Sequence, residues 1–137
     1  DLRMSRGLGD VYKRQTLKQT EVTLVFGVFE KYNAITQSVL VKNKGEEAFY
    51  IEKICSANMD LLFSDLDLIH LSGAWGRECN IKRRHLEQGI QAVGSTRGAG
   101  GHGQNPFAAL VSPDTSEDQG EVYAMNFVYS GNFLAEV

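Results

Sequence analysis

Residues 21–30, EVTLVFGVFE, decide the fold class of this chain. Apolar side chains recur there at every second position, at Val22, Leu24, Phe26 and Val28. This is the period of a β-strand. The opposite face, which includes Val25, is also mostly apolar, so we expect the strand to be covered on both sides.

Segments of similar pattern follow along the chain. Residues 34–42 alternate apolar and polar side chains, and the turn residues 43–45 after them indicate a hairpin. Further strands are predicted at residues 49–62, 68–75, 89–95, 121–129 and 133–137, the last two joined by 130–132. No long capped stretch has the period of a helix. Short strands with frequent turns and only two prolines predict an all-β fold, an antiparallel β-sandwich.

Length and composition fit one globular domain. The chain has 137 residues, 42% of them apolar and 23% charged. Its longest apolar run is about six residues, whereas a membrane-spanning helix needs about 20. No secretory signal opens the sequence, and Cys55 and Cys79 are too few for a disulfide framework. We therefore expect reduced thiols, a cytoplasmic location and no membrane partner.

The first fifteen residues have a separate origin in our interpretation. Residues 5–15, SRGLGDVYKRQ, resemble one reading frame of a transposase tagmentation adapter, and residues 1–4 lie upstream of it. Such sequencing scars are excluded from fold reasoning. We therefore expect residues 1–15 to be an adapter-derived artefact without ordered strand structure, and the natural chain to be cut at both ends.

The charge balance argues against nucleic acid as a partner. The whole chain carries a net charge of −3, and leaving out residues 1–15, with four basic and two acidic side chains, gives −5. An acidic body lacks the basic surface that a nucleic acid requires. The short basic run 82–84 is therefore interpreted as a solvated strand edge.

Residues 98–103 formally satisfy GxGxxG, the pattern of dinucleotide-binding loops, with Asp118 twenty residues after Gly98. That pattern holds a pyrophosphate only where the glycines open a helix. Here residues 105–107, Asn-Pro-Phe, lead into a short apolar run that ends at residues 112–113. We therefore expect a loop at residues 98–107 and no cofactor.

Three further groupings resemble reactive sites only in part. Cys79, His85 and His102 could supply metal ligands, but their spacing matches no known metal site. Cys79 and His85 lack a third group that would orient them as a nucleophilic pair. Asp65 and Asp67 could be paired carboxylates for glycoside chemistry, although two such residues more often cap a turn between strands. We expect no metal and an ordinary structural role for all of them.

Several polar and aromatic segments are not explained by strand packing. They read, in order, LSGAW (71–75), KRR-x-LE (82–87), GIQ (89–91), RGA (97–99), H-x-QNPF (102–107), EDQGEVY (117–123) and VYSGNFLA (128–135). This ordered set closely resembles the N-terminal β-domain of bacterial α-galactosidases of glycoside hydrolase family 36. Residues 16–67 are compatible with the same family. Departures are Cys79 and Asn80 in place of Arg and His, Gln88 in place of Pro, and glycines at 100–101.

The resemblance implies a parent enzyme larger than this chain. Family members combine an N-terminal β-supersandwich of the galactose-mutarotase type, a (β/α)8 barrel and a C-terminal β-domain. They release terminal α-linked galactose from melibiose- and raffinose-type oligosaccharides with retention of configuration, using two aspartates of the barrel. Residues 16–137 would then be part of the N-terminal domain, without catalytic residues and inactive in isolation.

What the resemblance implies for this segment is a wall of the active-site pocket and contacts of a homotetramer. Trp75, the tryptophan of LSGAW, is the implied sugar-contacting residue. Its alternative is a core tryptophan, the commoner role of a lone Trp. A different function class also stays open: a non-catalytic carbohydrate-binding or assembly β-sandwich, in which Trp75, Tyr123 and Tyr129 would stack on sugars.

Overall fold

The computed structural model describes residues 9–17, 19–62 and 64–137, with side chains from residue 19 onward. In these ranges the chain forms nine strands, and every strand pair is antiparallel. The helical content of the same ranges is the 3-10 turn Glu30–Tyr32. The prediction of an all-β antiparallel fold is confirmed. No helix in the described ranges is long and apolar enough to cross a membrane.

Contacts divide the described residues into one unit that ends at Asp60 and a second that begins at Leu61. The first unit is a three-stranded sheet in the order β1-β2-β3. Its strands are β1 (Gly9–Leu17), β2 (Thr20–Phe29) and β3 (Ala34–Asn43). β2 and β3 lie where the alternating pattern predicts them.

β1 corrects the expectation that residues 1–15 lack ordered strand structure. Gly9 pairs with Val28 and Leu17 with Thr20, so the backbone of residues 9–15 belongs to the sheet. β1 contains Val11, Tyr12 and Thr16, residue types that favour strands, and β2 offers it a partner edge. Residues 1–8 lie outside the described residues. The pairing shows that residues 9–15 form part of a strand. It does not test whether these residues derive from a sequencing adapter.

The surroundings of β2 also differ from the prediction. Only Glu21 and Gly27 of this strand are buried, and the other side chains are half-buried or, at Val28, exposed. Within the described chain β2 is therefore not covered on both faces. The buried Glu21 carboxylate accepts a hydrogen bond from Lys44 Nζ at 2.5 Å, which compensates its charge.

Residues 49–62 do not form the predicted strand. The turn after β3 exists, because Gly45 N donates to Asn43 Oδ1 at 2.9 Å, but no strand follows it. The segment places Phe49, Tyr50 and Ile51 in succession instead of alternating, and residues 56–60 are mostly strand-disfavouring types. Most of its large apolar side chains are exposed, with Tyr50 at 96%.

The second unit contains six strands in two sheets. A four-stranded sheet has the order β5-β4-β7-β8, and β6 pairs with β9. The bounds are β4 (Asp67–Ala74), β5 (Arg77–His85), β6 (Ala92–Ser95), β7 (Gln104–Val111), β8 (Val122–Asn126) and β9 (Phe133–Glu136). A small core connects them. Its members are Leu66, Leu68, Val93, Ala109 and Val111.

The sequence predicts the positions of these strands better than it predicts which strands pair. β8 and β9 lie within the predicted segments, and β4 is shifted one residue toward the N-terminus of its segment. β6 covers the second half of its segment, and β5 is the solvated edge strand that the run 82–84 indicates. β7 was predicted only as a loop and an apolar run. Residues 130–132 lie in the connection between β8 and β9, as predicted, but the two strands do not pair with each other, because β8 pairs with β7 and β9 pairs with β6.

Candidate functional site: the Trp75 hairpin

Trp75 lies at the tip of the hairpin that joins β4 to β5. Ala74 pairs with Arg77, so Trp75 and Gly76 form a two-residue connection. Gly76 has a φ of +75°, which the third position of a type II turn requires and glycine adopts without strain. The Trp75 side chain is 87% exposed. In this chain Trp75 is therefore a surface residue, and the alternative of a core tryptophan is not observed.

A bulge lies directly below the tip. Ser72 pairs with Asn80 and Ala74 with Arg77, so β5 contributes one residue more than β4 over this stretch. Cys79 sits in that extra length with a left-handed φ of +55°, the conformation that the G1 class of bulge has at its first residue. Opposite it, a Cβ on Gly73 would lie 2.1 Å from the Arg77 carbonyl oxygen. Only glycine fits at position 73.

Polar side chains hold the tip from two sides. Gly76 N donates to Glu78 Oε1 at 2.8 Å, and Asn80 Nδ2 donates to the Arg77 carbonyl at 2.6 Å. Asn105, from β7, donates through Nδ2 to Cys79 Sγ at 3.1 Å. The Gly76 amide lowers the pKa of Glu78 below its ordinary value, with smaller contributions from its own amide and the charge of His102. The lowered pKa favours the ionised form of Glu78, and this is the form that accepts the hydrogen bond from the Gly76 amide.

Two shallow concavities flank this hairpin and share Gly73 and Gly103. The first, about 430 Å³, presents cationic and amide donors. Its lining is Ser72, Gly73, Ala74, Arg77, Asn80, Lys82 and Gly103. The second, about 340 Å³, is lined by Gly73, Gly94, Ser95, Thr96, Arg97, Gly103 and Gln104. Donors of this kind can hydrogen-bond hydroxyl groups of a polar ligand.

Asp67, one of the two predicted carboxylates, has a structural role at the start of β4. It accepts a hydrogen bond from Arg83 Nε at 2.6 Å and lies 3.1 Å from His85 Nδ1. The bond from Arg83, followed by that from His85, lowers the pKa of Asp67. Asp65 is exposed and lies 3.9 Å from His85 Nε2. A carboxyl with a lowered pKa is unsuited to act as the proton donor of a glycosidase.

Within the basic run 82–84, Arg83 has a clear structural role. Besides Asp67, its guanidinium donates to the carbonyl oxygens of Thr115 at 2.7 Å, Pro113 at 2.7 Å and Ser112 at 3.2 Å. It therefore fastens the β7–β8 loop to the base of the hairpin. Arg84 makes a single such bond, to the Ala92 carbonyl at 3.2 Å.

The glycine-rich segment 98–103 is a loop that leads into β7, as predicted. Gly98 N donates to Asn132 Oδ1 at 2.7 Å, and Gly100 N donates to the Ser130 carbonyl. These glycines open a strand and not a helix, so the arrangement that binds a pyrophosphate is missing from this segment. In the described part of the chain, no group of three His, Cys, Asp or Glu side chains, the Cys79, His85 and His102 set included, is placed to hold a metal.

His70, on β4, makes a side-chain contact that the sequence patterns do not reveal. It is half-buried on β4, and its Nδ1 lies 3.1 Å from Gln104 Nε2, which also donates to the Leu71 carbonyl at 3.1 Å. Burial lowers the pKa of His70, and the charges of Arg84 and Lys82 lower it further. Glu78, Asn80 and His70 are ordinary strand residues in the sequence, and only pairing across strands gives them their contacts.

Comparison with known proteins places this geometry in a family. The model for the glycosyl hydrolase family 36 N-terminal domain matches residues 10–137. Alpha-galactosidase AgaA of Geobacillus stearothermophilus is 52% identical over 117 residues, which are 85% of this chain and 16% of AgaA. Alpha-galactosidase C of Emericella nidulans is 46% identical over 114 residues, 83% of this chain and 15% of that protein.

Solved structures agree with the sequence matches. The galactosidase domain of the alpha-galactosidase-sucrose kinase AgaSK superimposes with a TM-score of 0.89 at 36% identity, covering 96% of this chain and 18% of that one. AgaA crystallised with raffinose gives 0.81 at 46% identity, with 94% and 18% covered. The chain thus spans about a sixth of the length of these curated relatives. It belongs to glycosyl hydrolase family 36, as an N-terminal domain of that family.

Proposed function

We propose that this chain is the N-terminal part of a retaining α-galactosidase that hydrolyses terminal α-linked galactose from raffinose- and melibiose-type oligosaccharides. The observation that carries the proposal is the braced, exposed Trp75, whose neighbour Ala74 lines a shallow concavity together with Arg77, Asn80 and Lys82. An indole stacks on the apolar face of a sugar while neighbouring donors bind its hydroxyls. The relatives are named α-galactosidases, and a doubly substituted variant of AgaA has been crystallised with raffinose.

In this proposal the segment supplies a wall of the sugar site and not the catalytic carboxylates. The state of Asp67 supports that division, because its ion pair with Arg83 and its lowered pKa oppose a role as general acid. A retaining glycosidase needs two carboxyl groups about 5 Å apart, one of them with a raised pKa. We place that pair in a barrel encoded downstream.

We further propose that the complete enzyme is a cytoplasmic homotetramer. The exposed thiols Cys55 and Cys79 would persist in a reducing compartment. Exposed apolar side chains such as Ile35, Leu40 and Tyr50 would be covered by contacts within the assembly.

Residues 1–15 are, in our proposal, derived from a sequencing adapter. The support is the match of residues 5–15 to one reading frame of that adapter. An independent genomic clone that encodes the same residues would exclude this origin, and a clone that diverges upstream of Thr16 is the expected result.

Extension of the reading frame tests the proposed function. We expect a barrel bearing two catalytic aspartates downstream in the same frame. The extended protein should release nitrophenol from an aryl α-galactoside, whereas the purified 137-residue chain should give none above the blank. A frame that ends without a barrel, in a protein that still binds galactosides, would favour the non-catalytic carbohydrate-binding or assembly sandwich.

A further inference from the structure

The orientation of the Trp75 indole depends on the backbone that carries it. The side chain is 87% exposed, so packing covers little of the ring. A single exposed aromatic loses side-chain and loop freedom when a ligand orders it, and that loss weakens binding. An aromatic side chain that stacks on a sugar therefore binds it more tightly when the backbone that carries the side chain is already held in the bound conformation.

Glu78 provides such a hold. Its Oε1 accepts the Gly76 N–H at 2.8 Å, and this N–H belongs to the peptide bond between Trp75 and Gly76. In a two-residue connection that amide would otherwise face water. A carboxylate makes a stronger acceptor than a neutral group, so this bond fixes the plane of the peptide that follows the indole.

Asn80 and Gly73 hold the other end of the same connection. Asn80 Nδ2 donates to the Arg77 carbonyl at 2.6 Å, and the lack of a Cβ at Gly73 leaves room for that carbonyl. The bulge at Cys79 adds the extra residue between the two braces. Glu78 and Asn80 thus hold backbone groups on the two sides of the Gly76–Arg77 peptide.

We infer that Glu78, assisted by Asn80, is a positioning residue that holds Trp75 in the orientation in which it receives the sugar. Glu78 itself is not required to touch the ligand. The inference rests on the proposed function only for the identity of that ligand. The brace is a property of this chain and can be measured without a substrate.

The first test uses the 137-residue chain, whose single tryptophan is Trp75. Hydrogen exchange of the Gly76 amide by NMR and the fluorescence anisotropy decay of the indole report the brace directly. We expect Glu78→Ala to raise the exchange rate about tenfold and to enlarge the fast anisotropy component, with Glu78→Gln giving about a threefold rise. Glu87→Ala, at an exposed glutamate outside the hairpin, is the control and should match the parent chain.

Unchanged exchange and anisotropy in Glu78→Ala would overturn the inference. Because the alanine variant can alter the fold of the hairpin, Glu78→Gln keeps the shape of the side chain and removes the charge. A graded response, with Gln between Glu and Ala, supports positioning by the carboxylate. An equal response in Glu87→Ala would contradict it.

The second test uses the complete enzyme and separates this inference from the proposed function. We expect Glu78→Ala to raise KM for an α-galactoside about threefold to tenfold with little change in kcat, since it loosens a binding platform. If Trp75→Ala raises KM and Glu78→Ala does not, positioning by Glu78 is wrong. If Trp75→Ala leaves KM unchanged, the proposed role of Trp75 fails, while the exchange data still decide whether Glu78 braces the tip.

Discussion

Two hairpin connections of this molecule each carry an exposed aromatic residue, and they are built differently. Trp75 is 87% exposed and Tyr32 is 72% exposed. The Tyr32 connection is a 3-10 turn closed by Asn33 N bonding to the Glu30 carbonyl at 3.2 Å, with no side-chain cap. The Trp75 connection has a bulge and two side-chain braces. The two aromatic residues are both exposed, and the connections differ in their side-chain braces, which support the proposed role of Trp75.

The largest effect should come from filling the space under the Trp75 tip. In Gly73→Ala the new Cβ meets the Arg77 carbonyl oxygen at 2.1 Å, and a backbone atom cannot yield as a flexible side chain would. We expect a loss of about 3 kcal/mol in the free energy of unfolding, measured by urea denaturation. Gly101→Ala, where nothing lies within 4 Å, is the control. Equal stability of both variants would refute the close-approach account.

A smaller effect is expected at the base of the same hairpin. Arg83→Met removes the bonds to Asp67 and to three carbonyls of the β7–β8 loop. We expect a fall of several degrees in Tm and faster hydrogen exchange in residues 113–120. Arg84→Met, which removes one bond, should change both far less. If the two variants behave alike, Arg83 does not fasten the loop.

The smallest expected effect is the pH dependence of the bond between Glu78 and the Gly76 amide in the Trp75 connection. The Gly76 amide lowers the pKa of Glu78 below its ordinary value of 4.5, so the folded hairpin favours the ionised form. The contribution of this brace is therefore complete above pH 4.5 and is lost as the pH falls through the lower folded pKa. An NMR titration of the Gly76 amide should give a midpoint below 4.5. A midpoint at or above that value would contradict the brace.

How well the sequence predicts this fold depends on how local the signal is. β2, β3 and β4 follow from alternating side chains, because each has a partly buried face. β5, with the sequence RECNIKRRH, is exposed at every position and becomes a strand through its pairing with β4. Its edge position is what the polar composition does indicate.

Partner choice required non-local information. Residues 130–132 are turn-type residues that join β8 to β9 along the chain, and Ser130 and Asn132 accept hydrogen bonds from the Gly100 and Gly98 amides of the glycine loop. That contact separates β8 from β9, and β9 pairs with β6 instead.

The candidate site was predictable at its centre and not in its supports. Trp75 is marked by the LSGAW motif, although the strand predicted at residues 68–75 includes it, whereas β4 ends at Ala74 and Trp75 lies in the turn. The roles of Glu78 and Asn80 depend on a one-residue bulge at Cys79. A strand pattern alone places Glu78 and Asn80 along β5. It does not show that their side chains hydrogen-bond to the backbone of Gly76 and Arg77 at the tip.

Steady-state kinetics of two matched variants in the complete enzyme test the central claim most directly. Trp75→Ala and Tyr32→Ala each remove an exposed aromatic from a hairpin connection. We predict that Trp75→Ala lowers kcat/KM for an α-galactoside about tenfold to a hundredfold at nearly unchanged Tm, and that Tyr32→Ala changes neither. A large drop in Tm for Trp75→Ala, with unaltered kinetics in the enzyme that remains folded, would contradict the account.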